Sequence, residues 1–161
     1  MTTKTHILKL IIEQLTHDLA VQFGAAKTAH AASIHEENIP DNKYDTLGLE
    51  ASYVAQGQAN RAQDIKQALQ IYGRLSLQHF DENSAIRLTA LVSLECDDGT
   101  TKTVFIGPLE GGLKVRDHQT EIMVITPASP LGRQLIGRVT GDCIAVGSGS
   151  SRREYEIIKV C

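Results

Sequence analysis

Two heptad stripes in the first half of the chain mirror each other about residue 40. Leu8, Ile12, Leu15, Leu19, Gln22, Ala26, Ala29 and Ser33 succeed one another at alternating steps of four and three. Tyr44, Gly48, Ala51, Ala55, Gln58, Ala62, Ile65, Leu69 and Tyr72 repeat the same steps. If the chain folds back at Ile39-Pro40, Leu8 meets Tyr72, Ile12 meets Leu69, Leu15 meets Ile65 and Leu19 meets Ala62. The numbers in each pair add to 80 or 81, as an antiparallel hairpin of helices requires. A stripe that repeats every 3.5 residues is a coiled-coil seam. The pattern therefore predicts a two-helix finger with a bend at its far end.

The seam changes along its length. Near the base it is Leu, Ile and Tyr. Toward the bend it becomes Ala, Ser and Gly, which lets two backbones approach closely and tapers the finger. About 32 residues separate Leu8 from the bend, or roughly 48 Å of helix. Gln22 and Gln58 form a polar layer that penalises wrong registers. A thin end offers little apolar area to a partner helix, which argues against a hairpin built for dimerisation.

The bend reads His35-Glu36-Glu37-Asn38-Ile39-Pro40-Asp41-Asn42-Lys43-Tyr44-Asp45. Pro40 cannot continue a helix and pushes Ile39 toward extended geometry. Asn38 is a good N-cap, and Asp41 and Asp45 suit the positive end of the helix dipole after it. Glu36 and Glu37 stand at the opposite pole, where negative charge is unfavourable. Clustered carboxylates with no base nearby suit a Mg²⁺ ion shared with a second site. Glu36, Glu37 and Asp41 are the candidate metal ligands, with simple solvation as the alternative.

At 161 residues the chain has room for two small units. The boundaries expected are 1–77 for the finger and 78–161 for a compact body. A net charge of −3 gives no general attraction for nucleic acid. Cys96 and Cys143 lie in strand-like apolar contexts and Cys161 is the last residue. An odd count without a spacing pattern fits a reducing cytoplasm rather than a disulfide framework. No stretch reads as a leader or a bilayer-spanning helix. The six histidines, His6, His17, His30, His35, His79 and His118, show no paired ligand spacing and read as surface residues.

The second half reads as an α+β body. Ser84 to Glu95 alternates through Ile86, Leu88, Ala90, Val92 and Leu94 as a half-buried strand. Asp97-Asp98-Gly99-Thr100 is a hairpin turn, and Lys102 to Gly107 returns. Glu121 to Thr126 is a third strand. Ser129 caps a short helix with Pro130 at its first position, and Gly137 stops it. Asp142 to Val146 and Tyr155 to Val160 make a last hairpin around a Gly- and Ser-rich loop. The fold class expected is an antiparallel helical hairpin (coiled coil) joined to a mixed β-sheet domain with one short helix.

The run Ile125-Thr126-Pro127-Ala128-Ser129-Pro130-Leu131-Gly132-Arg133-Gln134-Leu135-Ile136-Gly137, then Gly141-Asp142, then Arg153-Glu154-Tyr155-Glu156-Ile157-Ile158-Lys159-Val160, closely resembles the C-terminal domain of the Gre transcript-cleavage factors of bacterial RNA polymerase. The helical half has the matching length and polarity. The resemblance implies an FK506-binding-protein-like (FKBP-like) fold for the body. It also implies docking at the rim of the polymerase secondary channel, with Pro127, Ser129, Pro130, Leu131 and Gly132 as the contact surface. The finger would then enter the channel toward the active-site Mg²⁺.

In that family two acids three apart at the tip, with Asn and then Tyr after them, help hold the second Mg²⁺ that cuts backtracked RNA. Asp41-Asn42, with Tyr44 behind, matches the second acid. The first falls on Asn38, with Glu37 beside it, so Glu37 and Asp41 are the candidates for the catalytic role. This departure bears on cleavage and leaves polymerase binding untouched. Lys9, Lys27, Lys43, Arg61, Lys66 and Arg74 are scattered among acids, so any grip on the RNA 3′ end should be weak. The implied protein is a cytoplasmic monomer without a membrane partner. It is not itself an enzyme and has no cofactor of its own, the Mg²⁺ being supplied by the polymerase. The alternatives are a non-cleaving secondary-channel regulator and, by fold analogy alone, a prolyl isomerase. Against the isomerase stand the absence of Trp and a set of only three Phe: Phe23, Phe80 and Phe105.

Overall fold

The computed structural model describes residues 3–34 and 47–161, with side chains described for 3–22, 24, 56–57 and 59–161. The described residues divide into two compact units: Met1–Ile11 with Arg74–Cys161, and Ile12–Gly73.

The second unit is helical. Helix α1 runs Lys4–Ile34 and α2 runs Leu47–Gly73. The stripe expected on α1 is displaced by one residue at its start. Ile7, Ile11 and Leu15 are the fully buried positions, and Leu8, Ile12 and Leu19 flank them half-buried. Adjacent apolar pairs, Ile7-Leu8 and Ile11-Ile12, make the apolar arc too wide for spacing alone to choose its centre. Ile7 and Ile11 also belong to the first unit rather than the second. On α2 the buried line is Ala62, Ile65, Ala68 and Tyr72, with Leu69 at its edge.

The first unit is built on one six-stranded mixed sheet in the order β3-β4-β2-β1-β6-β5. The strands are β1 Leu91–Cys96, β2 Thr101–Ile106, β3 Lys114–Asp117, β4 Thr120–Ile125, β5 Cys143–Val146 and β6 Arg153–Val160. Among the described residues, only β2 and β4 pair in parallel. A short helix, α3, spans Pro130–Leu135 between β4 and β5.

The strand expected from Ser84 starts seven residues later, at Leu91. Thr89 holds φ +75, a left-handed value that no strand continues through. Ala90 N–H closes a turn on the Arg87 carbonyl at 3.1 Å, and Leu88 is 40% exposed. Ile86 is buried all the same, because it pairs with the segment after α3. It donates its N–H to Arg138 O, and its carbonyl accepts from Gly137 N–H. Strand β3, which no periodicity in the sequence marks, pairs antiparallel with β4. Their two-residue turn puts His118 at φ +55, a position where glycine costs less.

Both sheet faces are covered. On one, Val92, Leu94, Val104, Ile106, Ile125, Ile144 and Ile157 pack with Phe80, Ile86 and Leu135 into the main core. On the other, Leu91, Phe105, Val115, Ile122 and Val124 are also buried. The first turn of α1 lies on that side: Thr3 and Lys4 share a pocket wall with Leu91 and Ile122, and His6 reaches Asp117. Lys4 Nζ donates to the carbonyls of Gln78 and Thr89 and stands 4.5 Å from the centre of the Phe80 ring. Burial lowers the Lys4 pKa, the Cys161 charge opposes that shift and Arg87 adds to it. Residues 3–11 are thus tied to the sheet and are not only the start of a finger.

Candidate docking surface

The site grows out of the way α3 begins. Ser129 has extended backbone (φ −68, ψ 157), and its Oγ accepts from Gly132 N–H at 3.1 Å. The same hydroxyl donates to Thr126 O at 2.7 Å, so one side chain caps the helix and fixes the turn before it. Pro130 comes next, at the first helical position, where a missing N–H costs nothing. Past the C-cap Ile136, Gly137 takes φ +85 and turns the chain out of the helix. Gly141-Asp142 then locks the return to β6: Gly141 N–H donates to Ile157 O, Ile157 N–H donates to Asp142 O, and Asp142 Oδ2 accepts from Val139 N–H.

This arrangement sorts the five expected docking residues. Pro130 is exposed, and Pro127, Ser129 and Leu131 are half-buried. Gly132 is buried: a Cβ there would fall 2.0 Å from Thr126 O. Bare backbone at Gly132 is the condition for the helix to start so close to the Thr126 carbonyl. Ser129, Pro130 and Leu131 line one rim of a groove of about 450 Å³. Met123, Ile125, Val146 and Tyr155 supply its apolar wall, and Lys102 brings a single charge. An apolar concavity with one cation at its edge can take an apolar segment of a partner with an acid beside it.

Sequence reasoning does not reveal Lys102, Met123 and Tyr155 as neighbours of this rim. Met123 sits opposite Val104 in the parallel β2–β4 pair, and Tyr155 opposite Cys96 across β1–β6. Only the strand order brings them together. The tip candidates Glu36, Glu37 and Asp41 lie outside the described residues. Among the described residues, Cys96, Asp97 and Asp98 bring possible ligand atoms within 4.8 Å of one another. Their atoms already serve the β1–β2 turn. Asp98 Oδ1 accepts from Thr100 N–H at 2.9 Å and from Thr100 Oγ1 at 2.6 Å, and Cys96 Sγ donates to Asp97 at 3.1 Å. The side-chain hydroxyl and then the backbone N–H of Thr100 hold the Asp98 pKa below its ordinary value.

No known protein-family model matches the chain. A 70-residue stretch is 34% identical to the transcription elongation factor GreA of Xylella fastidiosa. That stretch is similar to a Gre factor. The match takes in 44% of the chain and about two fifths (39%) of that relative's own length. Among solved structures, the GreA factor homolog 1 (Gfh1) protein of Thermus thermophilus is 24% identical, with 93% of this chain and 94% of that one covered at a TM-score of 0.39. The Thermus aquaticus Gfh1 is 22% identical, with 92% of each chain covered at 0.39. The GreA/GreB factor of Nitrosomonas europaea is 14% identical, with 70% of this chain and 91% of that one covered at 0.37. At those scores the structural likenesses add nothing to the sequence match. No helix among the described residues is long and apolar enough to cross a membrane.

Proposed function

We propose that this chain is a bacterial transcription elongation factor that docks on RNA polymerase at the secondary channel through the groove beside α3. The Gre-like stretch carries the reading, and it is supported by an apolar groove bordered by Ser129, Pro130 and Leu131. On this reading α1 and α2 pair as an antiparallel coiled coil, and the body has the FKBP-like fold of the family. The bend carries Glu36, Glu37 and Asp41 to the polymerase Mg²⁺. Glu37 and Asp41 then stimulate hydrolysis of backtracked RNA in trans, in a complex where the polymerase supplies both the metal and the active site. The protein works as a monomer, makes at most a weak contact with the RNA 3′ end, and has no membrane partner.

A second reading shares the docking and omits the cleavage. It rests on Asn38, which stands where the family's first tip acid is expected. The two part in one assay. Polymerase halted in a backtracked complex is incubated with the protein and with its Glu37→Ala and Asp41→Ala variants. Transcript shortening that the variants lose supports the cleavage reading. Binding without shortening supports the regulator, and the absence of both binding and shortening overturns the two together.

A further inference from the structure

The sheet has two edge strands, β3 and β5, and their sequences differ in kind. Strand β3 reads Lys114-Val115-Arg116-Asp117, and charges of this sort blunt an edge against added strands. Strand β5 reads Cys143-Ile144-Ala145-Val146, with neither charge nor proline. Ile157 N–H donates to Asp142 O at 2.9 Å, and Ile157 O accepts from Gly141 N–H at 2.7 Å. On β6 the backbone of Ile157, and by alternation that of Tyr155 and Arg153, is therefore turned toward β5. Their partners on β5 are Ile144 and Val146. The N–H and C=O groups of Cys143 and Ala145 thus point away from the sheet, at one exposed and one half-buried residue. We infer that β5 is a docking edge, where an extended segment of a partner protein with basic residues at alternate positions adds to the sheet as a further strand.

Charge selects the occupant. Ile144, Val146, Tyr155 and Ile157 pack on the main core, so Cys143, Ala145, Glu154 and Glu156 lie on the opposite face. Glu95 stands beside Glu156, and Glu156 beside Cys143, in one row across β1, β6 and β5. Glu154 stands beside Ala145 in the next row. With Asp97, these carboxylates border a groove of about 420 Å³, and the cation at its wall, Arg152, is already paired with Glu154 at 3.3 Å. Neither Glu95 nor Glu156 has an ion-pair partner among the described residues. A strand added at β5 sets every second side chain on this face, about 10 Å from the axis of β6. A Lys or Arg there can lie over the small side chains of Cys143 and Ala145 and reach Glu156 or Glu154. The side chains between them fall beside Ile144 and Val146, where apolar residues suit. Main-chain bonds then give affinity and alternate side chains give specificity. A second copy of this chain joined at β5 would set carboxylates toward carboxylates, which like-charge repulsion opposes.

The test uses the full chain and a short, fluorescently labelled synthetic peptide that alternates Lys and Val. Anisotropy should show saturable binding that weakens as salt rises. The amide resonances of Cys143 and Ala145 should shift and exchange more slowly with the peptide present. The same peptide with Glu in place of Lys should not bind. Nor should the peptide N-methylated at its lysines, whose N–H groups face β5 in an antiparallel pairing. Glu154→Lys and Glu156→Lys together should weaken binding about tenfold or more, at exposed positions that leave the fold intact. Ala145→Pro should abolish binding, since it removes an N–H that the sheet does not use, and its melting temperature shows that it folds. These variants leave the rim of the groove beside α3 unaltered, so docking there should not change. Four results overturn the edge: no binding of the Lys peptide, equal binding of the N-methylated or the Glu peptide, binding untouched by the double charge reversal, or self-association of the chain that a folded Ala145→Pro variant abolishes.

Discussion

Gly132 and Gly57 set opposite expectations for the same substitution. A Cβ on Gly132 would strike the Thr126 carbonyl at 2.0 Å, whereas one on Gly57 meets nothing within 4 Å. Gly132→Ala should therefore cost about 1–3 kcal/mol or more, since the obstacle is backbone. Gly57→Ala, in the interior of α2, should add about 0.5–1 kcal/mol. Urea unfolding reads both. The contrast also governs probes of docking: a Gly132 variant disturbs the start of the helix, whereas a Leu131 variant gives up only a partly buried contact with the core. Asp98 offers a titration. Its folded pKa is depressed, so its contribution to stability is complete above pH 3.8, the ordinary value, and fades as pH falls through the lower folded value. Side-chain NMR should find Asp98 titrating below 3.8, and Thr100→Val should move it back toward that value by removing the leading hydrogen bond.

Heptad spacing locates both helices and names Leu15, Ala62, Ile65 and Tyr72 as inward positions, all of which are buried. It misplaces the start of the α1 stripe because paired apolar residues leave the centre of the arc ambiguous, and because Ile7 and Ile11 serve the sheet unit. The Ser129-Pro130 helix start and the Gly137 stop are legible because cap chemistry is local. Strand β3 is not: Lys114-Val115-Arg116-Asp117 carries one apolar residue, and its identity as a strand comes from pairing with β4. The groove beside α3 is half legible, its α3 rim through a motif and its floor only through strand order. Ser84 to Ala90 alternates like a strand, yet the left-handed Thr89 breaks it. Ile86→Ala should cost about 2–5 kcal/mol in urea unfolding, while Leu88→Ala, at an exposed site, should stay within about 0.5 kcal/mol. The proposed hairpin has its own test at this scale. Leu15 and Ile65, expected to face each other, are 0% and 1% exposed. A double-mutant cycle with Leu15→Ala and Ile65→Ala should give a coupling of about 0.5–3 kcal/mol, and additive losses would contradict the pairing.

At the scale of the whole molecule, a Gre-like stretch, an apolar groove at the start of α3 and two helices long enough to carry acids to a distant site serve one proposed task. The groove and the tip have separate parts in it, so their variants should separate as well. Leu131→Glu should act on association, and Asp41→Ala should act on the cleavage step after association. The direct measurement is the affinity of the purified chain for bacterial RNA polymerase core enzyme, taken beside the melting temperature of each variant. The unaltered chain should bind, Asp41→Ala should bind equally well, and Leu131→Glu should bind about tenfold or more weakly while still unfolding as a folded protein, at a temperature lowered by the core contact that Leu131 gives up. A chain that does not bind the polymerase, or a folded Leu131→Glu variant that binds as tightly as the unaltered one, would contradict the proposed docking.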